Sequence, residues 1–163
     1  MTDPYDLKRF VTAQAPVYAD ALAELRTGRK RTHWMWFVFP QLRGLGSSPT
    51  ALRYSIGSLD EARAYLAHPL LGARLRESTK IVATSRASTL HALFGSPDDV
   101  KMISSATLFA LADAGETNVF RATLARWSVS WRRVRRTAMP TRRSAPSRAR
   151  KWRDPSRFRY RAY

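Results

Sequence analysis

Helix start signals recur along this chain at intervals that leave little room for anything but helices between them. Ser58 is followed three residues later by Glu61, the pairing of a capping box, and "SLDEARAYLAHP" then runs without glycine or a β-branched residue. Pro69 opens a further segment in which Leu70, Leu71, Leu75, Ile81 and Val82 keep an approximately helical period. "STLHALFG" reads as a short helix closed by Gly95. In "SPDDVKMISSATLFALAD", Ser96 is the expected cap, Pro97 takes the first position, and Asp98 and Asp99 face the positive end of the helix dipole. Upstream, Leu7, Phe10 and Val11 form one apolar stripe with Asp6 as expected N-cap. Val17, Leu22 and Leu25 form a second, with Pro16 in its first turn and Gly28 as C-cap. A last helix is expected from about Glu116 to Trp127. "RGLGSSPT" marks a loop, and only residues 52–57 offer a weak strand-like run. The expectation is an all-α fold of about seven helices in one compact domain over residues 1–127.

A chain of 163 residues with 44% apolar residues suffices for one packed core and is short for two. It contains no cysteine, which excludes disulfides, thiol catalysis and Cys-ligated zinc and agrees with a cytoplasmic setting. The opening residues, with Asp3, Asp6 and Lys8, do not read as a secretory signal, and no apolar run reaches the roughly 18 residues of a membrane span. The net charge of +17 is unevenly placed. Residues 1–127 hold 16 Lys+Arg against 11 Asp+Glu, whereas residues 128–163 hold 13 against one, Asp154. Basic character therefore belongs mainly to the C-terminal stretch. There, Arg interleaved with Trp131, Trp152, Phe158 and Tyr160 suits phosphate contacts and base stacking. A basic tail binding polyanions without specificity, or an out-of-frame translation product, fits the same composition. Nucleic acid is expected as a partner only through this stretch.

Familiar catalytic signatures are missing: the chain has no P-loop, no G-x-G-x-x-G, no H-E-x-x-H and no G-x-S-x-G. His33, His68 and His91 lie far apart without a carboxylate pattern, so neither a metal site nor a cofactor is expected. Three clusters remain. "HWMWFVFPQ" (residues 33–41) follows the cations Arg29, Lys30 and Arg31. Its rings can stack on a planar ligand while the cations hold phosphates, or they can be core. In "FGSPDDVKMISSATLF", Asp98 and Asp99 form a carboxylate pair that suits acid–base work or simple dipole pairing, and Ser104 and Ser105 can hydrogen-bond a ligand. The Gly/Ser loop after Gln41 and Arg43 lets a ligand approach the backbone closely.

On "HWMWFVFPQLRGLGSSPTA", "SLDEARAYLAHPLLGARLRE" and "LFGSPDDVKMISSATLF", the chain resembles the bacterial domain-of-unknown-function family 1810, whose members often carry the label calpastatin. The likeness runs from about Asp3 to Trp127. It implies kinship with the all-α NADAR, or YbiA-like, proteins, some of which are N-glycosidases cleaving ribosyl–nitrogen bonds in riboflavin-pathway intermediates or ADP-ribose conjugates. A small-molecule ligand resembling a nucleotide or ADP-ribose follows. The implied ligand contacts are Trp34, Trp36, Gln41, Arg43, Lys101 and Ser105, with His33, Asp98 or Asp99 as acid/base. In NADAR proteins the histidine is preceded by a glutamate and followed by a lysine; here Thr32 and Phe39 stand at those places. A glycosidase needs a carboxylate near the reacting carbon, and none adjoins His33 in sequence. After Arg126-Trp127, the short Gly- and Asp-containing close of relatives is replaced by the basic stretch.

Overall fold

The computed structural model of the chain describes residues 3–115 and 118–127. Among them are nine helices and no strand. The order is α1 (Lys8–Gln14), α2 (Tyr18–Thr27), α3 (Met35–Val38), α4 (Pro49–Arg53), α5 (Leu59–Ala67), α6 (Pro69–Thr84), α7 (Leu90–Phe94), α8 (Asp98–Ala112) and α9 (119–127). The all-α expectation holds. The count exceeds seven because two single-turn helices, α3 in the aromatic segment and α4 inside the Gly/Ser loop, are too short to show a period.

Caps follow the side chains that can reach free N–H groups, and several lie beside the expected ones. Asp6 does not cap α1. It adopts φ 49°, while Asp3 accepts from the N–H groups of Leu7 and Lys8 at 2.9 and 3.0 Å, bonds that hold its carboxyl below the usual range. Gly28 does close α2, at φ 79°. Ser58 accepts from Glu61 N–H at 3.1 Å, but the reciprocal arm of Glu61 reaches Gly57 N–H, at 2.7 Å, rather than the cap's own. Ser96 does not cap α8. Its peptide bond to Pro97 is cis, and Pro97 stands at the cap without a side-chain bond. The strand-like run 52–57 yields one isolated parallel bridge, Leu42 to Ile56.

The core is built where α8 lies across α5 and α7, with α6 packed against α5 and α2. Rings cross it in sequence: Phe10 meets Tyr65 edge-on at 5.1 Å, Tyr65 meets Phe109 at 5.4 Å, and Phe109 meets Phe120 at 5.8 Å. These contacts join α1, α5, α8 and α9. A second cluster joins Trp34, Phe39 and Phe94. Arg9 of α1 is half-buried and makes more internal bonds than any other cation among the described residues. It pairs with Glu61 at 2.6 Å and also donates to the carbonyls of Tyr5, Asp6, Arg53 and Ser55. One guanidinium thus ties α1, the chain after α4 and α5 together. The stretch 128–163, with the nucleic-acid and out-of-frame readings that fall on it, lies outside the described residues.

Candidate functional site

The segment 29–41 divides its residues between core and surface. Trp34, Met35, Val38 and Phe39 are buried, Trp36 and Phe37 are half-buried, and His33 is exposed. Trp34 offers a ligand no surface: it is 0% exposed, and its indole N–H donates to Glu24 at 2.8 Å. Glu24, from α2, also accepts from the N–H groups of Arg31 and Thr32 at 2.7 and 3.1 Å and from the Thr32 hydroxyl at 2.7 Å. Burial acts to raise its pKa, but these four donors outweigh it and hold the carboxyl at about 2. The carboxylate missing beside His33 in sequence is thus present in space, fully engaged in shaping the loop. No pattern in the sequence marks it, since a single Glu on a polar helix face is ordinary.

The cations preceding the aromatics do not act together. Lys30 is drawn inward and its ammonium lies 2.7 Å from Asp98 Oδ2, 2.7 Å from the Thr32 carbonyl and 5.2 Å from the centre of the Trp34 ring. Lys101, one turn along α8, meets Asp98 Oδ1 at 2.8 Å and stands over the Trp36 ring at 4.4 Å. Both Asp98 oxygens are therefore taken. Burial pushes its pKa up, yet the two ammonium groups bring it below the usual carboxylate value. Asp99 takes the other side of the helix, 3.1 Å from His91 Nδ1, and Ser104 bonds back to the Val100 carbonyl. Ser105 is 0% exposed, and its hydroxyl has no hydrogen-bond partner among the described residues; it faces the core and offers no contact to a ligand at the surface.

Three of the sequence-derived candidates meet at one open cleft of about 40 Å³. Trp36, Gln41 and Lys101 line it together with Leu42, Gly44, Leu45, Gly46, Ala51, Tyr54 and Ser55. Arg43 reaches its rim, with Nε 3.4 Å from Ser55 Oγ. The bridge between Leu42 and Ile56 fixes this geometry: Ile56 N–H donates to the Gln41 carbonyl and Arg43 N–H to the Ile56 carbonyl, both at 2.8 Å. The Gly44–Gly46 turn is thereby held over Tyr54, and Gly44 adopts φ 96°, a conformation that favours glycine. The Gln41 amide, the Tyr54 hydroxyl, the Trp36 indole N–H and the backbone N–H groups of Gly44 and Gly46 have no protein partner among the described residues. Donors predominate in that set, so the cleft suits an acceptor-rich, anionic group. The cleft is open, so a ligand seated there would extend over the exposed Leu42 and Leu45 (43% and 59%).

Among the described residues, no group of three His, Asp or Glu side chains could hold a metal ion, and no helix is long and apolar enough to cross a membrane. A solved structure, that of the conserved hypothetical protein Rv1873 from Mycobacterium tuberculosis, is 59% identical, with a TM-score of 0.75 over 78% of this chain and 90% of that one. Among curated proteins, none matches the chain. The family model described as "Protein of unknown function (DUF1810)" matches residues 4–138.

Proposed function

The chain belongs to the DUF1810 family, and on that premise we propose that it binds a nucleotide- or ADP-ribose-like small molecule in the cleft between Trp36, Gln41 and Lys101. One observation carries this. The buried or half-buried polar groups Arg9, Gln14, Glu24, Lys30, Glu61 and Asp98 are spent on internal partners, whereas the cleft's lining residues carry donors without a protein partner among the described residues around one accessible ammonium. A phosphate-type group lies against Lys101, Gln41 and the Gly44–Gly46 backbone. The ring system lies over Leu42 and Leu45 and along the indole edge, because Lys101 already covers one face of Trp36. The NADAR-like kinship belongs to the same proposal.

N-glycosidase chemistry is its second step, and the roles narrow. Asp98, kept ionised between two ammonium groups, is unsuited to be a general acid at neutral pH. His33 is solvent-exposed and is not among the residues lining the cleft; it is the proton-transfer group this reading retains, reached by a ligand that extends beyond the cleft. The alternative, a non-enzymatic polyanion- or protein-binding module, draws on residues 128–163.

Thermal shift against nucleotides, ADP-ribose, NAD and riboflavin precursors tests the binding. A true ligand at 100 times its Kd adds about 2.7 kcal/mol of stability. Trp36→Ala is expected to abolish that shift while helical circular dichroism persists. No shift with any compound removes the proposal; product release from a binding compound adds the glycosidase step.

A further inference from the structure

We propose that Asp98 sets the charge of the group the cleft accepts, so that the site takes an oxyanion bearing one negative charge, a phosphodiester or a carboxylate, in preference to a phosphomonoester dianion. This rests on the reading of the cleft as an anion site given above.

The charges around the cleft can be counted. Lys30 is only 9% exposed and spends its ammonium on Asp98, the Thr32 carbonyl and the Trp34 ring, so it presents nothing to a ligand. Lys101 is 20% exposed, donates one bond to Asp98 and stands over the Trp36 ring at 4.4 Å, and of the two ammonium groups it is the one that lines the cleft. Two ammonium groups and one carboxylate leave a net charge of +1, delivered to the cleft by Lys101. On the same turn, Asp99 is directed to His91. Arg43 is not among the residues lining the cleft: its Nε lies 3.4 Å from Ser55 Oγ, and its guanidinium is turned to Gly57, where the Glu61 carboxylate offsets its charge. The uncharged donors, Gln41, Tyr54 and the glycine N–H groups, solvate an oxyanion without adding charge. A single negative charge is matched. A second enters with its desolvation uncompensated, and it also faces the Asp98 carboxylate held behind Lys101.

The experiment uses the full chain and follows the Gly44 and Gly46 amide signals by nitrogen-15 NMR, because the Arg-rich residues 128–163 would bind phosphates in any bulk measurement. Dimethyl phosphate, a monoanion throughout, and methyl phosphate, whose second pKa lies at roughly 6, are titrated at pH 5.0 and pH 7.5. Acetate is titrated at pH 7.5. Dimethyl phosphate is expected to bind equally at both pH values, which controls for titration of the protein. Methyl phosphate is expected to weaken about threefold or more as it becomes a dianion. Asp98→Asn, which raises the local charge to +2, is expected to erase or reverse that weakening. Lys30→Met, which lowers it to zero, is expected to weaken every anion, and serves if Asp98→Asn does not fold. The tighter of dimethyl phosphate and acetate identifies which monoanion the site prefers. Tighter methyl phosphate binding at pH 7.5 in the unmodified chain overturns the charge selection while leaving the anion site intact. If no anion moves the two amides at millimolar concentration, the anion site itself falls.

Discussion

At the scale of the residue, Glu24 does the most with a single side chain. Its carboxylate collects the N–H groups of Arg31 and Thr32, the Thr32 hydroxyl and the Trp34 indole, and so fixes the loop that carries Lys30 inward to Asp98. The folded-state pKa of about 2 lies below the ordinary glutamate value of 4.5. The stabilisation is therefore complete above about pH 4.5 and drains away as pH falls toward 2. Partial exposure screens it, so Glu24→Gln is expected to cost about 1–2 kcal/mol at pH 7 rather than the full linkage value. Urea denaturation at pH 7, 4 and 2.5 checks this. The gap between the two proteins should narrow steadily with acidification, and a gap independent of pH would mean that shape, not charge, is what Gln fails to reproduce.

At the scale of the element, the approach of α5 to α6 depends on Gly72. A Cβ built there would stand 2.1 Å from the Leu66 carbonyl oxygen, a backbone atom that no rotamer change can move aside. Alanine normally gains about 1 kcal/mol over glycine within a helix. Gly72→Ala is expected to reverse that sign and lose about 2 kcal/mol or more, read as a lower urea midpoint with unchanged slope. A stabilised variant would mean that the two helices separate easily. The helices of seven or more residues and the Gly28 cap were legible because period and cap chemistry are local properties. Gly72 was not, since its role depends on which carbonyl at the end of the preceding helix packs against it. The same division runs through the site. Trp36, Gln41, Lys101 and the glycine loop were legible as residue types in a pattern. The burial of Trp34 and Ser105, the diversion of Lys30 to Asp98 and the arrival of Glu24 from α2 are decided by packing between distant segments.

At the scale of the whole chain, charge and fold come apart. The family match ends at residue 138, and residues 139–163 carry nine Lys+Arg against one acid, close to half of the net +17. Such a stretch attracts any polyanion by counterion release, at about 0.7 of a unit of log K per unit of log salt for each phosphate contacted on a single strand. The cleft draws on one ammonium and a set of uncharged donors, so its ligand should respond far less to salt. Deleting residues 139–163 is expected to leave the melting temperature and small-anion binding at Gly44 and Gly46 unchanged. The same deletion should flatten the salt dependence of single-stranded DNA binding. The two readings of the molecule, ligand-binding domain and polyanion-binding module, then separate on one pair of proteins. If the truncated chain melts lower, the basic residues pack on the helices and belong to the domain; if it loses the small-anion signals, they complete the cleft.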